Sequence, residues 1–353
     1  MKYSGSSIRG MCLFLLALLP WWITACDSAP DQASSHTVSA TAFGPQQLGV
    51  IVNDADPSSL RIAKYYVNRR GIPDGNVIHV RFKPGNKVMR PEDFQVIKDE
   101  VDKQTPSTVQ AYALTWTVPY RVGCMSITTA FAAGFDADFC ALGCKPTRPS
   151  PYFNSHSRRP HDDFGWRPAI MLAGTQVSDV EALIERGVEA DASNPPGTAY
   201  LLSTDDRQRN ARARFYPGIR LLQSDRLRIE IINANSLHLR DDVMFYFTGL
   251  VRVAGIDTNR FLPGAIADHL TSAGGQLTDS RQMSSLRWLE AGATGSYGTV
   301  AEPCSFVEKF PRPNLVIDTY LNGETLLESY WKSVEWPGQG IFIGEPLATP
   351  FSP

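Results

Sequence analysis

The chain has 353 residues, 43% of them apolar and 20% charged, with 34 Lys and Arg against 36 Asp and Glu and a formal net charge of −2. This is the composition of a globular protein, and the length allows one large domain or two small ones. No basic tract stands out by count, so nucleic acid is not expected as a partner.

The first 25 residues read as an export signal. Lys2 and Arg9 precede an apolar run over 11–23 that ends in Ile23-Thr24-Ala25-Cys26. Positive charge, a short apolar core and small residues are the parts of a secretory signal. The run is shorter than the ~20 residues a membrane span requires. With Cys26 behind those small residues the segment resembles a bacterial lipobox. The expectation is a lipoprotein signal peptide over 1–25, with Cys26 as the acylated (palmitate-type) N-terminus of the mature chain. Such a protein is lipid-anchored in the cell envelope, faces the periplasm and has the membrane as a partner. An ordinary signal peptide, or an uncleaved anchor, with an incidental Cys is the alternative. Cleavage leaves 328 residues and, without Lys2 and Arg9, a net charge of −4. Residues 26–44 are rich in Ser, Ala, Thr, Gln and Pro and read as a flexible tether, leaving 45–353 as the folded domain.

Four cysteines remain in that domain: Cys124, Cys140, Cys144 and Cys304. In an oxidising compartment they suggest two disulfides in any of three pairings. A zinc site through Cys140 and Cys144 is the rival reading, but no second close Cys/His pair completes it.

Apolar runs over 47–53, 76–82 and 109–116 read as strands, alternating with helical patterns over 58–70 and 90–104. Asp56-Pro57 supplies a cap and first-turn proline for the first helix, and Gly71 its stop. The pattern resumes with strands over 169–173, 198–203, 242–248, 294–300 and 341–343, and helices over 178–189, 283–291 and 320–334. The segment 126–167 carries Cys140 and Cys144 and little periodicity, and a loop that long is usually functional or stapled. No internal repeat is visible. Alternating strands and helices predict a single doubly wound, mostly parallel α/β sheet of three-layer, flavodoxin-like architecture.

In such sheets ligands bind beyond the carboxyl ends of the strands. The candidate ligand-binding residues there are Asp54, Asp56, Trp116, Arg121, Asp205 and Tyr297, although strand-end Asp residues are also ordinary turn formers and caps. Asp54 with Asp205 and Asp206 would also suit an oxygen-rich cation site, but their spacing does not require one and no metal is expected. Farther on, His269 with Ser272 and Cys304 invites a base-and-nucleophile reading, with Gly274-Gly275 offering backbone N–H groups to an oxyanion. The competing reading places His269 in a polar core and Cys304 in a disulfide. No nucleophile elbow, phosphate loop, zinc-protease motif or dinucleotide fingerprint is present, and no cofactor is expected.

Long stretches of the domain, among them Asn53-Asp54-Ala55-Asp56-Pro57, Leu114-Thr115-Trp116, Trp288-Leu289-Glu290-Ala291-Gly292 and Trp336-Pro337-Gly338-Gln339-Gly340, resemble a family of bacterial exported proteins. That resemblance implies no activity. More distantly, Phe247-Thr248-Gly249-Leu250, Leu270-Thr271-Ser272-Ala273 and the ending Gly344-Glu345-Pro346 resemble the caspase-like domain of gingipain-type cysteine peptidases. The resemblance implies that Leu250 stands in the place of the catalytic His, and Ser272 or Ala273 in the place of the catalytic Cys. The expected function is a non-peptidase caspase-like domain that binds a small ligand or an envelope protein. The alternative is a hydrolase with a site rebuilt around His269, Ser272 and Cys304.

Overall fold

The computed structural model describes residues 43–141 and 143–353. Cys26, the expected signal peptide over 1–25 and all but the end of the expected tether lie outside the described residues. The first half runs β1 (Leu48–Asn53), α1 (Pro57–Arg70), β2 (Val77–Val80), β3 (Val88–Met89), α2 (Pro91–Gln104), β4 (Ala111–Leu114), β5 (Arg121–Val122), β6 (Met125–Ser126), α3 (Ile127–Ala133), α4 (Pro160–Phe164), β7 (Ala169–Met171) and α5 (Val177–Ala190). The second half runs β8 (Gly197–Ser203), α6 (Tyr216–Ile219), β9 (Leu227–Asn233), β10 (Val243–Thr248), β11 (Phe261–His269), α7 (Leu286–Glu290), β12 (Gly295–Thr299), α8 (Pro313–Leu321), α9 (Leu326–Ser333) and β13 (Gly340–Gly344).

Ten of these strands form one mostly parallel sheet in the order β2-β1-β4-β7-β13-β12-β11-β10-β8-β9, and β3, β5 and β6 form a small second sheet. The α/β expectation holds, and the sheet adds something the sequence did not reveal: the winding occurs twice. The first four strands lie in the order second-first-third-fourth, and the five from β8 onward repeat that order with a fifth added. β13 joins the two blocks, pairing antiparallel with β12 over Gly295–Gly344 to Thr299–Gly340 and touching β7 at Ile343–Met171.

Successive residues of a strand face opposite sides, so strands covered on both faces need to be apolar throughout. Val50 and Val52 pack with Ile62, Tyr66 and Ile184 of α1 and α5, whereas Ile51 packs on the other side with Phe94, Ile97 and Phe131 of α2 and α3. In the second block Phe245 and Phe247 meet Tyr216, Ile317 and Tyr330, and Tyr246 meets Trp288. The described residues belong to one compact unit with its own core. No helix among them is long and apolar enough to cross a membrane.

The cysteines form two disulfides, Cys124–Cys140 and Cys144–Cys304. The segment 126–167 is therefore stapled, once to its own entrance and once to the loop after β12, and it contains the short helices α3 and α4. The helix expected over 320–334 is two helices, because Gly323 (φ 77°) ends the first turn-out and Thr325 with Glu328 starts α9 as a capping box. β9 and β11 were not expected. β11 hides behind Pro263-Gly264, which a register irregularity against β10 accommodates, with Gly264 at φ 85°.

Candidate functional site

Several clefts open at the carboxyl ends of the strands, and two of them decide between the binding and catalytic readings. The first, about 430 Å³, lies between the turns that follow β1, β4 and β7, with Leu277 and Thr278 from the segment after β11 as its far wall. It contains Asp56 and Trp116 of the expected residues, together with Thr117, Gly174, Thr175 and Gln176. The Asp56 carboxylate accepts the Ser58 backbone N–H at 2.9 Å, so the residue caps α1 and faces the cleft at once. The buried Trp116 indole donates to the Pro119 carbonyl at 3.2 Å and presents its ring as the floor. This is the switch-point crevice of the first block, where the connections that follow the neighbouring strands β1 and β4 lead to helices on opposite faces of the sheet.

The other expected ligand residues are elsewhere. Asp54 bonds His79 Nδ1 at 2.7 Å on the β2 side of the turn. Asp205 is on the far edge of the second block, its backbone N–H bonded to Asn235, so Asp54, Asp205 and Asp206 form no common cation site. Arg121 reaches the Val300 carbonyl at 3.3 Å and bridges the two blocks. Tyr297 is corrected outright: it is 1% exposed, donates to the Lys309 carbonyl and packs among Phe310, Tyr330 and Phe342, so it is a core residue.

The second cleft, about 560 Å³, is lined by Ser272, Leu270, Arg209, Glu302 and the Cys144–Cys304 disulfide. Here the base-and-nucleophile reading is corrected. Cys304 has no thiol to offer. His269 is 1% exposed, accepts the Trp288 indole N–H at Nδ1 (2.9 Å) and donates from Nε2 to the Met283 carbonyl (3.2 Å). Both ring nitrogens are engaged, and the lone pair a base needs is already occupied. Asp268 beside it points to the opposite face, where it pairs with buried Arg212 at 2.5 Å. Of the two amides proposed for an oxyanion, Gly274 and Gly275, that of Gly275 is also taken, as is the neighbouring one of Ala273. Ala273 N–H donates to Gln282 Oε1 at 2.9 Å and Gly275 N–H to the Thr299 carbonyl at 2.9 Å. Gly275 is there for contact: a Cβ on it would come within 2.7 Å of the Gly298 carbonyl oxygen.

Burial lowers the His269 pKa to about 3, against the favourable bond to Met283. Because the unfolded chain binds that proton near pH 6.5, the contribution to stability is complete above that value and is lost as the pH falls toward 3. Between pH 7 and pH 5 this histidine is expected to cost about 2 kcal/mol of stability. Denaturant unfolding of the wild type and His269→Gln at the two pH values checks it: the variant should lack that part of the pH dependence.

A scan against protein-family models, a search of curated proteins and a search of solved structures each return no match.

The cleft residues not anticipated divide by how legible they were. Gly174 and Thr175 stand between an apolar run and a helix start, a position readable as a strand-end turn. Leu277 and Thr278 come from the segment after the unanticipated β11, and nothing local marks them. Gln282 and Arg209 were equally invisible: Gln282 bonds Thr271 Oγ1 at 2.7 Å and Arg209 bonds the same oxygen at 3.2 Å, filling the turn from above.

Proposed function

We propose that this is a lipid-tethered protein of the bacterial cell envelope whose domain keeps the caspase-like arrangement without its peptidase chemistry and works by binding a ligand or partner. The observation that carries the reading is the state of His269, the histidine nearest Ser272 in the chain, whose imidazole is buried, neutral and bonded at both nitrogens. The caspase-like reading is supported by the pairing of β10 with β11, which places Thr248 opposite His269 and so brings the turns that begin at Gly249 and Leu270 together at one sheet edge. In that arrangement Leu250 occupies the place of the base, and a leucine can neither take nor hold a proton. Gly249 underlies the Arg209 backbone so closely that a Cβ would lie 1.9 Å from its carbonyl oxygen, which leaves no room for a substrate strand there.

Two disulfides support an oxidising compartment, as an exported protein requires. The cleft over Trp116 is the binding seat in this reading. Its volume is that of a small-molecule site, its floor is apolar, and Asp56, Thr117, Thr175 and Gln176 supply a few polar groups. The purified protein is expected to turn over no peptide, ester or phosphoester substrate. Turnover that Ser272→Ala abolishes would overturn the proposal in favour of a rebuilt hydrolase.

A further inference from the structure

We propose that the surface of residues 207–222 docks on the anionic face of a phospholipid bilayer. The proposal extends the membrane-tethered reading above, on which it rests only for the presence of a bilayer within reach. Between Arg207 and Leu222 the chain has Arg207, Arg209, Arg212, Arg214 and Arg220 and no Asp or Glu, in a protein of net charge −2. Spaced by Gln, Asn, Ala, Phe and Tyr, these arginines do not register as a basic tract in sequence. The fold sorts them. Arg212 turns inward to Asp268, and Arg209 pairs with Asp206 at 2.9 Å. Arg207, Arg214 and Arg220 remain exposed, and no carboxylate pairs with them among the described residues.

The same segment exposes its large apolar residues. Tyr216 and Ile219, three apart on α6, are each 1% exposed and pin the segment to the body of the domain. Phe215 and Leu221 are thereby directed outward, 40% and 91% exposed, and Leu221 is the most exposed large apolar side chain among the described residues. The Arg214 guanidinium lies 4.7 Å from the Phe215 ring centroid. Exposed apolar residues each next in the chain to an unpaired cation, Phe215 to Arg214 and Leu221 to Arg220, match the headgroup boundary of an anionic bilayer, where the cations meet phosphates and the apolar side chains enter the acyl edge. A protein already tethered needs little affinity from such a patch. What the patch adds is orientation, fixing which face of the domain looks away from the membrane.

The test uses the mature chain from residue 26 with Cys26→Ser, which carries no lipid, and vesicles of phosphatidylcholine alone or in equal parts with phosphatidylglycerol. Co-sedimentation is expected only with the anionic vesicles and should weaken as salt is raised. The triple variant Arg207→Gln, Arg214→Gln, Arg220→Gln is expected to bind about a hundredfold more weakly, at about fivefold per arginine. Leu221→Ser should weaken binding while leaving its salt dependence. All four residues are exposed, and circular dichroism shows whether each variant keeps its fold. No binding to anionic vesicles, equal binding to neutral ones, or a triple variant that binds like the wild type overturns the proposal. Binding to polyglutamate without binding to vesicles also overturns it and assigns the surface to an acidic protein. Acylation of Cys26 is read separately, from the mass of the N-terminal peptide of membrane-extracted protein, so failure of the tether leaves the vesicle result standing.

Discussion

Glu345→Ala is expected to cost about 3–5 kcal/mol of folding stability, the loss typical when one partner of a buried ion pair is removed. The Glu345 side chain is fully buried just after β13. It accepts the Tyr66 hydroxyl at 2.8 Å and the Arg70 guanidinium at 3.0 and 2.5 Å, both from α1. Burial opposes the Arg70 charge, but Glu345, Tyr66 and Asp191 together outweigh it and hold the Arg70 pKa above its ordinary value. Gly187 of α5 makes the space, since a Cβ there would lie 2.4 Å from Glu345 Oε2. One carboxylate therefore ties α1, α5 and the C-terminal tail together, and its removal leaves the buried Arg70 guanidinium only the partly exposed Asp191 carboxylate as an ion partner. Replacing Arg70 and Glu345 together by methionine should cost much less than Glu345→Ala alone, because no buried charge is left unpaired and the remaining partner, Asp191, is partly exposed to water. Unfolding free energies of the three proteins check this, and a loss under about 1 kcal/mol for Glu345→Ala would contradict it.

The second large effect concerns the disulfides. Removing Cys144–Cys304 with Cys144→Ala and Cys304→Ala should destabilise more than removing Cys124–Cys140. The first joins residues 160 apart and the second residues 16 apart. Loop-closure entropy assigns them about 5 and about 3 kcal/mol respectively. The long bridge also holds Cys304 and Ser305, both at positive φ (57° and 56°) without being glycine. Relief of that strain on cutting offsets part of the loss, so the measured difference should fall below the entropic one. Denaturant midpoints of the two double variants under oxidising conditions decide it. A larger loss from the shorter bridge would contradict the loop-length argument.

Much of the α/β architecture is legible in single segments. β1, β4, β7, β10 and β13 are short apolar runs because helices cover both of their faces, and α1 announces itself through Asp56, Pro57 and Gly71. β9 was legible in principle: Leu227, Ile229 and Ile231 alternate with Arg228 and Glu230, the pattern of an edge strand wet on one side. β11 was not, since Pro263-Gly264 interrupts it and Asp268-His269 end it with polar residues whose partners, Arg212 and Trp288, come from elsewhere in the chain.

The sequence by itself determined the class of fold and the strand-end location of Asp56 and Trp116, and it favoured disulfides over a zinc site for the four cysteines, because each follows from local periodicity, capping or composition. Only the tertiary structure decided the doubled winding, the disulfide pairing, the retirement of His269 and Cys304 from chemistry, and the outward turn of Arg207, Arg214 and Arg220. Those depend on which distant residues meet, and a contact between residues far apart in the chain leaves no trace in either one's neighbours.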